Sequence, residues 1–233
     1  MTTDEPPPRP SAQARLAWLD LQDGTFPAGR FVHSNGLEAW LGAHPTAGEA
    51  EIAELVGAHL AGSVASLDAV FVAHAWREPD RALELDRLLT THKLSAAARA
   101  ASEGAGRQLA LAADRVLGER GRGGYLAGVL AGDGPGNQAV VEGVLHRSLD
   151  VDAETTVLGF LRGAVSGLFS AAVRLGRLGP LGARRLTFDL HGRIAELATV
   201  ALGADLARVH TGAPELEIHA MRHERVTTRL FAT

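Results

Sequence analysis

Ser34 is the residue of this sequence whose surroundings most resemble a catalytic turn. It lies in Val32-His33-Ser34-Asn35-Gly36, one residue away from the G-x-S-x-G turn that presents the nucleophile of many hydrolases. Val32 occupies the place of the first glycine, and a β-branched residue resists the positive φ that glycine allows there. No alternating apolar strand leads into the turn. Serine hydrolysis is therefore disfavoured, and the segment is better explained as the start of a helix.

A helix that begins after Ser34 accounts for the same residues. Ser34 or Asn35 can cap it, and Asn35-x-x-Glu38 has the spacing of a capping box, in which the glutamate carboxylate accepts from the backbone N–H of the cap residue. The apolar face of this helix would then be formed by Leu37, Trp40 and Leu41.

Histidines are the other groups that could support chemistry. The sequence has ten, and only His219 and His223 stand four apart, a spacing that puts both rings on one face of a helix and could hold a divalent metal ion weakly. The pair His223-Glu224 does not complete an H-E-x-x-H motif, because Thr227 stands in place of the second histidine. Separate packing or surface roles are favoured for the two rings, and a shared metal ion is the alternative.

Composition excludes several classes of function. The 233 residues include no cysteine, which excludes disulfides, thiolate nucleophiles and cysteine-based zinc or iron–sulfur sites. Lys93 is the only lysine, and the net charge is −4 without a basic run, so neither lysine chemistry nor a nucleic-acid groove is expected. No catalytic constellation emerges. The sequence therefore predicts a helical binding protein rather than an enzyme.

Helices are the elements expected to position these residues, because apolar residues recur at spacings of three and four. We expect an all-α, single-domain bundle of about eight to ten helices with long central helices. Residues 1–13 are predicted to be a disordered tail, and residues 14–233 a helical domain that ends in a docking segment, 214–233. The longest predicted helices cover residues 47–62, 66–78, 95–117, 153–178 and 181–206.

The predicted helix 153–178 carries two further signals. Its window from Val157 to Val173 is about as long as a membrane span, but Arg162 lies in the middle, so a buried core helix is expected. Small residues recur at every fourth position and let another backbone approach closely; this seam consists of Gly159, Gly163, Gly167 and Ala171. A helix crossing within the chain is favoured for the seam, and a homodimer contact is the alternative.

Four motifs spread over residues 16 to 233 occur in the order typical of one protein family. They are found at Pro27 to Glu38, Arg99 to Arg107, Arg174 to Gly182 and Met221 to Phe231. The first reads Pro-x-Gly-x-Phe-x-His-Ser-x-Gly-Leu-Glu, and the last contains Met-Arg-His-Glu followed by Arg-Leu-Phe. Through these motifs the chain resembles the urease accessory proteins of the UreF type. It departs from their pattern at three positions that bear on partner contacts: Ala183, Arg225 and Val226.

This resemblance implies an all-helical, cytoplasmic chaperone that dimerises and is not an enzyme. Its partners would be a second accessory protein, UreD (also called UreH), the nickel-carrying GTPase UreG and the urease apoenzyme, with neither a membrane nor a nucleic acid involved. This subunit would be the scaffold and a regulator of the GTPase, while nickel and GTP are handled by the complex and no cofactor is bound stably. Alternatives are a direct nickel carrier and, less favoured, a serine hydrolase using Ser34.

Both ends of the chain are expected to form partner surfaces, since the resemblance is concentrated there. Polar groups would orient partners through charge-assisted hydrogen bonds, apolar groups would anchor them by burial, and the serine would shape the turn. The residues are His33, Ser34, Glu38, His223, Glu224, Arg229, Leu230 and Phe231. An ion pair within the subunit is the alternative for Glu224 and Arg229.

Overall fold

Eleven helices and three short 3-10 turns make up the regular structure of the part of the chain that the computed structural model describes, which is residues 11–28, 33–223 and 230–231. This part contains no β-strand, so the predicted all-α fold is confirmed. In chain order the helices are α1 (Ala12–Gln22), α2 (Leu37–Ala43), α3 (Glu49–Arg77), α4 (Ala82–His92), α5 (Ala96–Leu117), α6 (Gly124–Ala131), α7 (Gln138–Ser148), α8 (Ala153–Arg174), α9 (Pro180–Asp189), α10 (His191–Gly203) and α11 (Pro214–His223).

Serine caps fix the starts of two of these helices. Ser11 Oγ accepts from Ala14 N at 3.0 Å at the start of α1, so helical structure begins inside the stretch expected to be a tail; residues 1–10 of that stretch lie outside the described residues. Ser95 Oγ accepts from Ala98 N at 3.0 Å at the start of α5. Each bond satisfies an amide that has no partner within the helix, and α5 confirms the helix predicted over 95–117.

The prediction of two helices over residues 47–62 and 66–78 is wrong. The chain continues as the single helix α3, whose middle part, Leu60–Asp68, is π-helical. Residues 62–66 contain glycine and serine but no proline, so nothing in that stretch blocks helical backbone hydrogen bonding. A wider turn therefore replaces the expected break.

Contacts from the segment before α11 support this π-helical stretch. Gly212 N donates to Gly62 O at 2.5 Å, and Ser66 Oγ donates to His210 O at 2.9 Å. A Cβ on Gly62 would come within 2.9 Å of Ala213 Cβ, so glycine is needed where the two segments meet. The π-helical geometry is thus stabilised by a part of the chain 144 residues away in sequence.

The predicted single helix over residues 181–206 is also wrong, because the chain breaks at Leu190 into α9 and α10. A straight helix of that length would extend for about 39 Å, beyond the reach of its neighbour α8. The break lets both α9 and α10 pack against α8, which buries apolar residues of each. Local sequence periodicity does not show how far a neighbouring helix extends, so it could not predict the break at Leu190.

The core lies around α8 and the second half of α3. Helix α8 packs against α3, α7, α9 and α10, and residues 69–77 of α3 pack most extensively against α7. By length and composition, Glu49–Arg77 and Ala153–Arg174 could each cross a membrane, but more than half of the most apolar window of each is buried inside the protein. Both helices are therefore core helices here, as expected for the window from Val157 to Val173.

Candidate functional site

The turn before α2 is shaped by the close approach of α11. Asn35 and Gly36 both have positive φ, 49° and 86°. A Cβ on Gly36 would lie 2.1 Å from Leu216 O and 2.8 Å from Ala220 N. No side chain fits in that space, so glycine is required both for the backbone conformation and for the contact with α11.

Ser34 supports this turn from inside. Its side chain is fully buried, and its Oγ accepts from Glu38 N at 3.5 Å. The residue at the cap position is Gly36 rather than Ser34 or Asn35, and it has no capping side chain. The predicted capping box is therefore wrong. A fully buried hydroxyl is not accessible to a substrate, so the geometry disfavours Ser34 as a nucleophile.

Glu38 joins the two ends of the chain. Its Oε1 accepts from Leu230 N at 2.8 Å and its Oε2 accepts from Phe231 N at 3.1 Å. Both hydrogen bonds are charge-assisted, a class about twice as strong as bonds between neutral groups. Two segments that lie 192 residues apart in sequence are thus held at one place, and we call this arrangement the Glu38 clamp.

The two apolar residues held by the clamp, Leu230 and Phe231, have different surroundings. Phe231 is only 3% exposed, and the Arg174 guanidinium lies 4.4 Å from the centre of its ring, a cation–π distance. Leu230 is 55% exposed. Phe231 therefore anchors the tail to its own chain, whereas Leu230 is presented to solvent.

Helix α11 likewise has one face packed and one exposed. Leu216 and Ala220 are buried against the rest of the chain, whereas Ile218 and Met221, three residues apart on one face, are 40% and 43% exposed. The helix α11 that carries these side chains packs on α2, the helix that carries Glu38. We call Ile218, Met221 and Leu230 the tail surface.

His219 packs against other side chains of its own chain. It is 7% exposed, and its ring centre lies 5.9 Å from that of His44, which stacks on Trp40 at 4.4 Å. Trp40 Nε1 donates to Glu215 Oε1 at 2.6 Å. Burial, and then the positive charge of Arg222, lower the pKa of His219. Within residues 11–28, 33–223 and 230–231, no three His, Asp or Glu side chains are arranged to hold a metal ion.

The side chains of three predicted site residues lie outside the described residues. His223 ends α11, but its side chain lies outside the described residues, as do Glu224 and Arg229. The partner-surface roles of these three residues therefore stay predictions, as do the two alternatives: a metal ion shared by His219 and His223, and an ion pair between Glu224 and Arg229.

The small-residue seam of α8 faces its own chain at its first residue. A Cβ on Gly159 would come within 2.9 Å of both Trp18 Nε1 and Gln22 Nε2 of α1. Ala171 is buried, and Gly163 and Gly167 line a cavity. The contact at Gly159 is the favoured intrachain crossing, and a homodimer seam stays a prediction.

His33 lines the same cavity and is half-buried. Burial lowers its pKa, which favours a neutral ring. Sequence analysis did not identify the other polar groups of this cavity, including His59 and Glu217. The reason is that helical periodicity indicates which face of a helix is apolar, but not which polar side chains of different helices meet.

Comparisons with known proteins found relatives that match nearly the whole chain. A family model described as UreF matches residues 46–191. The chain is similar to proteins called "Urease accessory protein UreF" from Paenarthrobacter aurescens (30% identical, covering 95% of this chain and 99% of the relative), Arthrobacter sp. (32%, 93% and 96%) and Trichodesmium erythraeum (26%, 94% and 96%).

Proposed function

We propose that this chain, which belongs to the UreF family of urease accessory proteins and so has a role in urease maturation, is the scaffold that joins UreD/UreH to the GTPase UreG. In this role it works in the cytoplasm, promotes GTP-dependent delivery of nickel to the urease apoenzyme, and carries no catalytic residue of its own. Nickel and GTP are handled by the assembled complex.

The Glu38 clamp is the observation that supports this proposal most. It leaves Leu230 in solvent beside a buried neighbour, and the helix that carries Ile218 and Met221 packs on the helix that carries Glu38. Exposed apolar side chains held on a fixed backbone, with polar groups around them, are typical of a protein-binding surface. The tail surface is therefore where we expect an accessory partner to bind.

Substitution of Leu230 tests this role without disturbing the core. We expect Leu230→Ser to reduce the recovery of UreD/UreH with the tagged chain by about tenfold or more, the size expected when an apolar anchor is lost. Val200→Ser is the matched control, because Val200 is 67% exposed on α10, a helix that packs mainly on α8 and α3. Equal recovery with both variants would exclude the tail surface as the docking site.

A direct nickel carrier is the second candidate function, and His219 and His223 are the residues it would use. Calorimetric titration of nickel into the purified chain separates it from a scaffold. Submicromolar binding that disappears in His219→Ala and His223→Ala would favour the carrier. The packing of His219 against His44 leads us to expect little change in His219→Ala.

A further inference from the structure

The cavity beside His33 is lined by polar side chains, most of them from α3, Lys93 and α11, and by mostly small or apolar residues from α5 and α8. Its volume is about 160 Å³. We call His59, Ser63, Asp68, Lys93 and Glu217 the polar wall. The apolar wall consists of residues of α5 and α8, among them Ala97, Ala101, Phe160, Gly163 and Gly167; Ser102 and Gln138 are further polar residues of the lining. His33 and Thr211 keep part of their surface in solvent, so the cavity communicates with the outside.

The π-helical stretch of α3 gives the cavity part of its polar wall. Leu60–Asp68 contributes Ser63 and Asp68, and His59 immediately precedes it. Such π-helical turns are rare and occur often at functional sites. The unusual backbone of α3 and the polar wall therefore coincide.

Three polar atoms of this wall lack a hydrogen-bond partner in the part of the chain that the structure describes. They are His59 Nδ1, Ser63 Oγ and Glu217 Oε2, and each atom is buried. Ser63 as a whole is only 4% exposed. A buried polar atom without a partner costs free energy, so a ligand or water that supplies hydrogen-bond donors would be bound favourably here.

The charges of the wall favour a cation over an anion. Lys93 Nζ lies 2.5 Å from Asp68 Oδ1, and both side chains are mostly buried. Glu217 is a second carboxyl group in the field of this ion pair, and burial raises its pKa. Lys93 is already paired with Asp68, so Glu217 has no positive partner of its own. A further positive charge beside Glu217 would offset the free-energy cost of ionising its buried carboxyl group.

We propose that this cavity is a binding site for a primary alkylammonium group, with the ammonium at Glu217 and Ser63 and the alkyl chain along the wall of Ala101, Phe160 and Gly163. An ammonium has three N–H donors, which matches the unpartnered acceptors of the polar wall. The small residues leave room for a chain of about four carbons. This inference does not depend on the proposed scaffold function.

Two other occupants fit less well. Water could satisfy the polar atoms, but it would leave the apolar wall without a packing partner. A divalent metal ion needs several ligating side chains in one arrangement, and none with three such ligands exists among the residues described.

Titration of the full chain with n-butylammonium chloride tests the inference. Lys93 is the only lysine, so protein labelled with lysine that carries ¹³C at Cε alone gives one Cε NMR signal, located at this cavity. We expect that signal to shift saturably, with a Kd between about 0.1 and 10 mM, the range open to a ligand of five non-hydrogen atoms. No saturable shift, or an equal response to uncharged n-butanol, would overturn the inference.

Substitutions in the polar wall test whether the ammonium group binds there. Glu217→Gln keeps the shape of the side chain and should weaken binding at least tenfold, and Ser63→Ala about threefold, as expected for charged and neutral hydrogen bonds. Glu54→Gln is the control, because Glu54 is exposed on the same helix, α3, and should leave the Kd unchanged. Unchanged binding in Glu217→Gln, with the chain still folded, would contradict the site.

The ammonium could come from a free amine or from a lysine side chain of another protein. Nα-acetyl-lysine methylamide distinguishes these sources, because it carries the same butylammonium group on a peptide backbone. Binding of this probe would favour a protein lysine. Binding of n-butylammonium alone would favour a free amine, since the backbone of the larger probe would then be excluded.

Discussion

Two carboxylates of this protein make the same contact in different surroundings. Asp86 is fully buried, and it accepts from Gly136 N at 2.7 Å, from Asn137 N at 2.8 Å and from Asn137 Nδ2 at 2.8 Å. Glu38 is half-buried and accepts from two backbone amides of the carboxy-terminal segment. Each carboxylate thus fixes the backbone of a distant segment.

Because Asp86 is fully buried and Glu38 is only half-buried, we assign a structural role to Asp86 and a functional one to Glu38. Water cannot replace Asp86, so the loop that it holds is a fixed part of the core. Water can compete for the amides held by Glu38, so the clamp contributes only modestly to the stability of the fold. Its role is to hold the exposed side chain of Leu230 in place, which suits a partner surface.

Removal of Asp86 should have the largest effect on stability. Asp86→Ala leaves several buried N–H donors without a partner, and we expect a loss of about 3 kcal/mol or more in the free energy of unfolding. Urea denaturation of the variant and of the wild type measures this loss. A loss below about 1 kcal/mol would show that the two carboxylates do not differ as the comparison requires.

The pH dependence of stability tests the burial of His59, whose Nδ1 has no hydrogen-bond partner among the described residues. Burial lowers its pKa from 6.5 to about 4, so the unfolded chain takes up a proton before the folded chain does. Stability is fully present above about pH 6.5 and falls as the pH is lowered towards 4, by up to about 3 kcal/mol. Between pH 7 and 4, thermal unfolding should show a smaller loss of stability in His59→Asn than in the wild type. The same pH dependence in both proteins would contradict the lowered pKa of His59.

Glu38→Gln should have the smallest effect on folding. The amide side chain keeps one acceptor and loses the charge, so we expect a loss of about 1 kcal/mol in stability. The larger effect should appear locally, as faster hydrogen exchange of the Leu230 and Phe231 amides. Glu54→Gln serves as the exposed control, and equal exchange in both variants would argue against the clamp.

The fold class could be predicted from sequence because helical periodicity and caps are local. Ser95 and the apolar spacing after it placed α5 within one residue of its observed start. The continuity of α3 and the break between α9 and α10 could not be predicted, since both depend on what packs against them. The first predicted helix ended at Gly62, but the helix continues there and the Gly62 carbonyl accepts from Gly212 N.

The candidate site was predicted in composition but not in geometry. The motifs at both ends named Glu38, Leu230 and Phe231, yet nothing in the sequence indicated that a carboxylate and two amides 192 residues apart would meet. Phe231 was expected to anchor a partner and instead packs against Arg174 of its own chain. An apolar residue type does not reveal which surface buries it.

The most direct test of the scaffold proposal is a double-mutant cycle on binding of UreD/UreH. Affinity is measured by titration for the wild type, Glu38→Gln, Leu230→Ser and the double variant. If Glu38 acts by holding Leu230 in place, Glu38→Gln should weaken binding in the wild type and add little once Leu230 is replaced. Additive effects of the two substitutions, or full affinity in both single variants, would contradict the account.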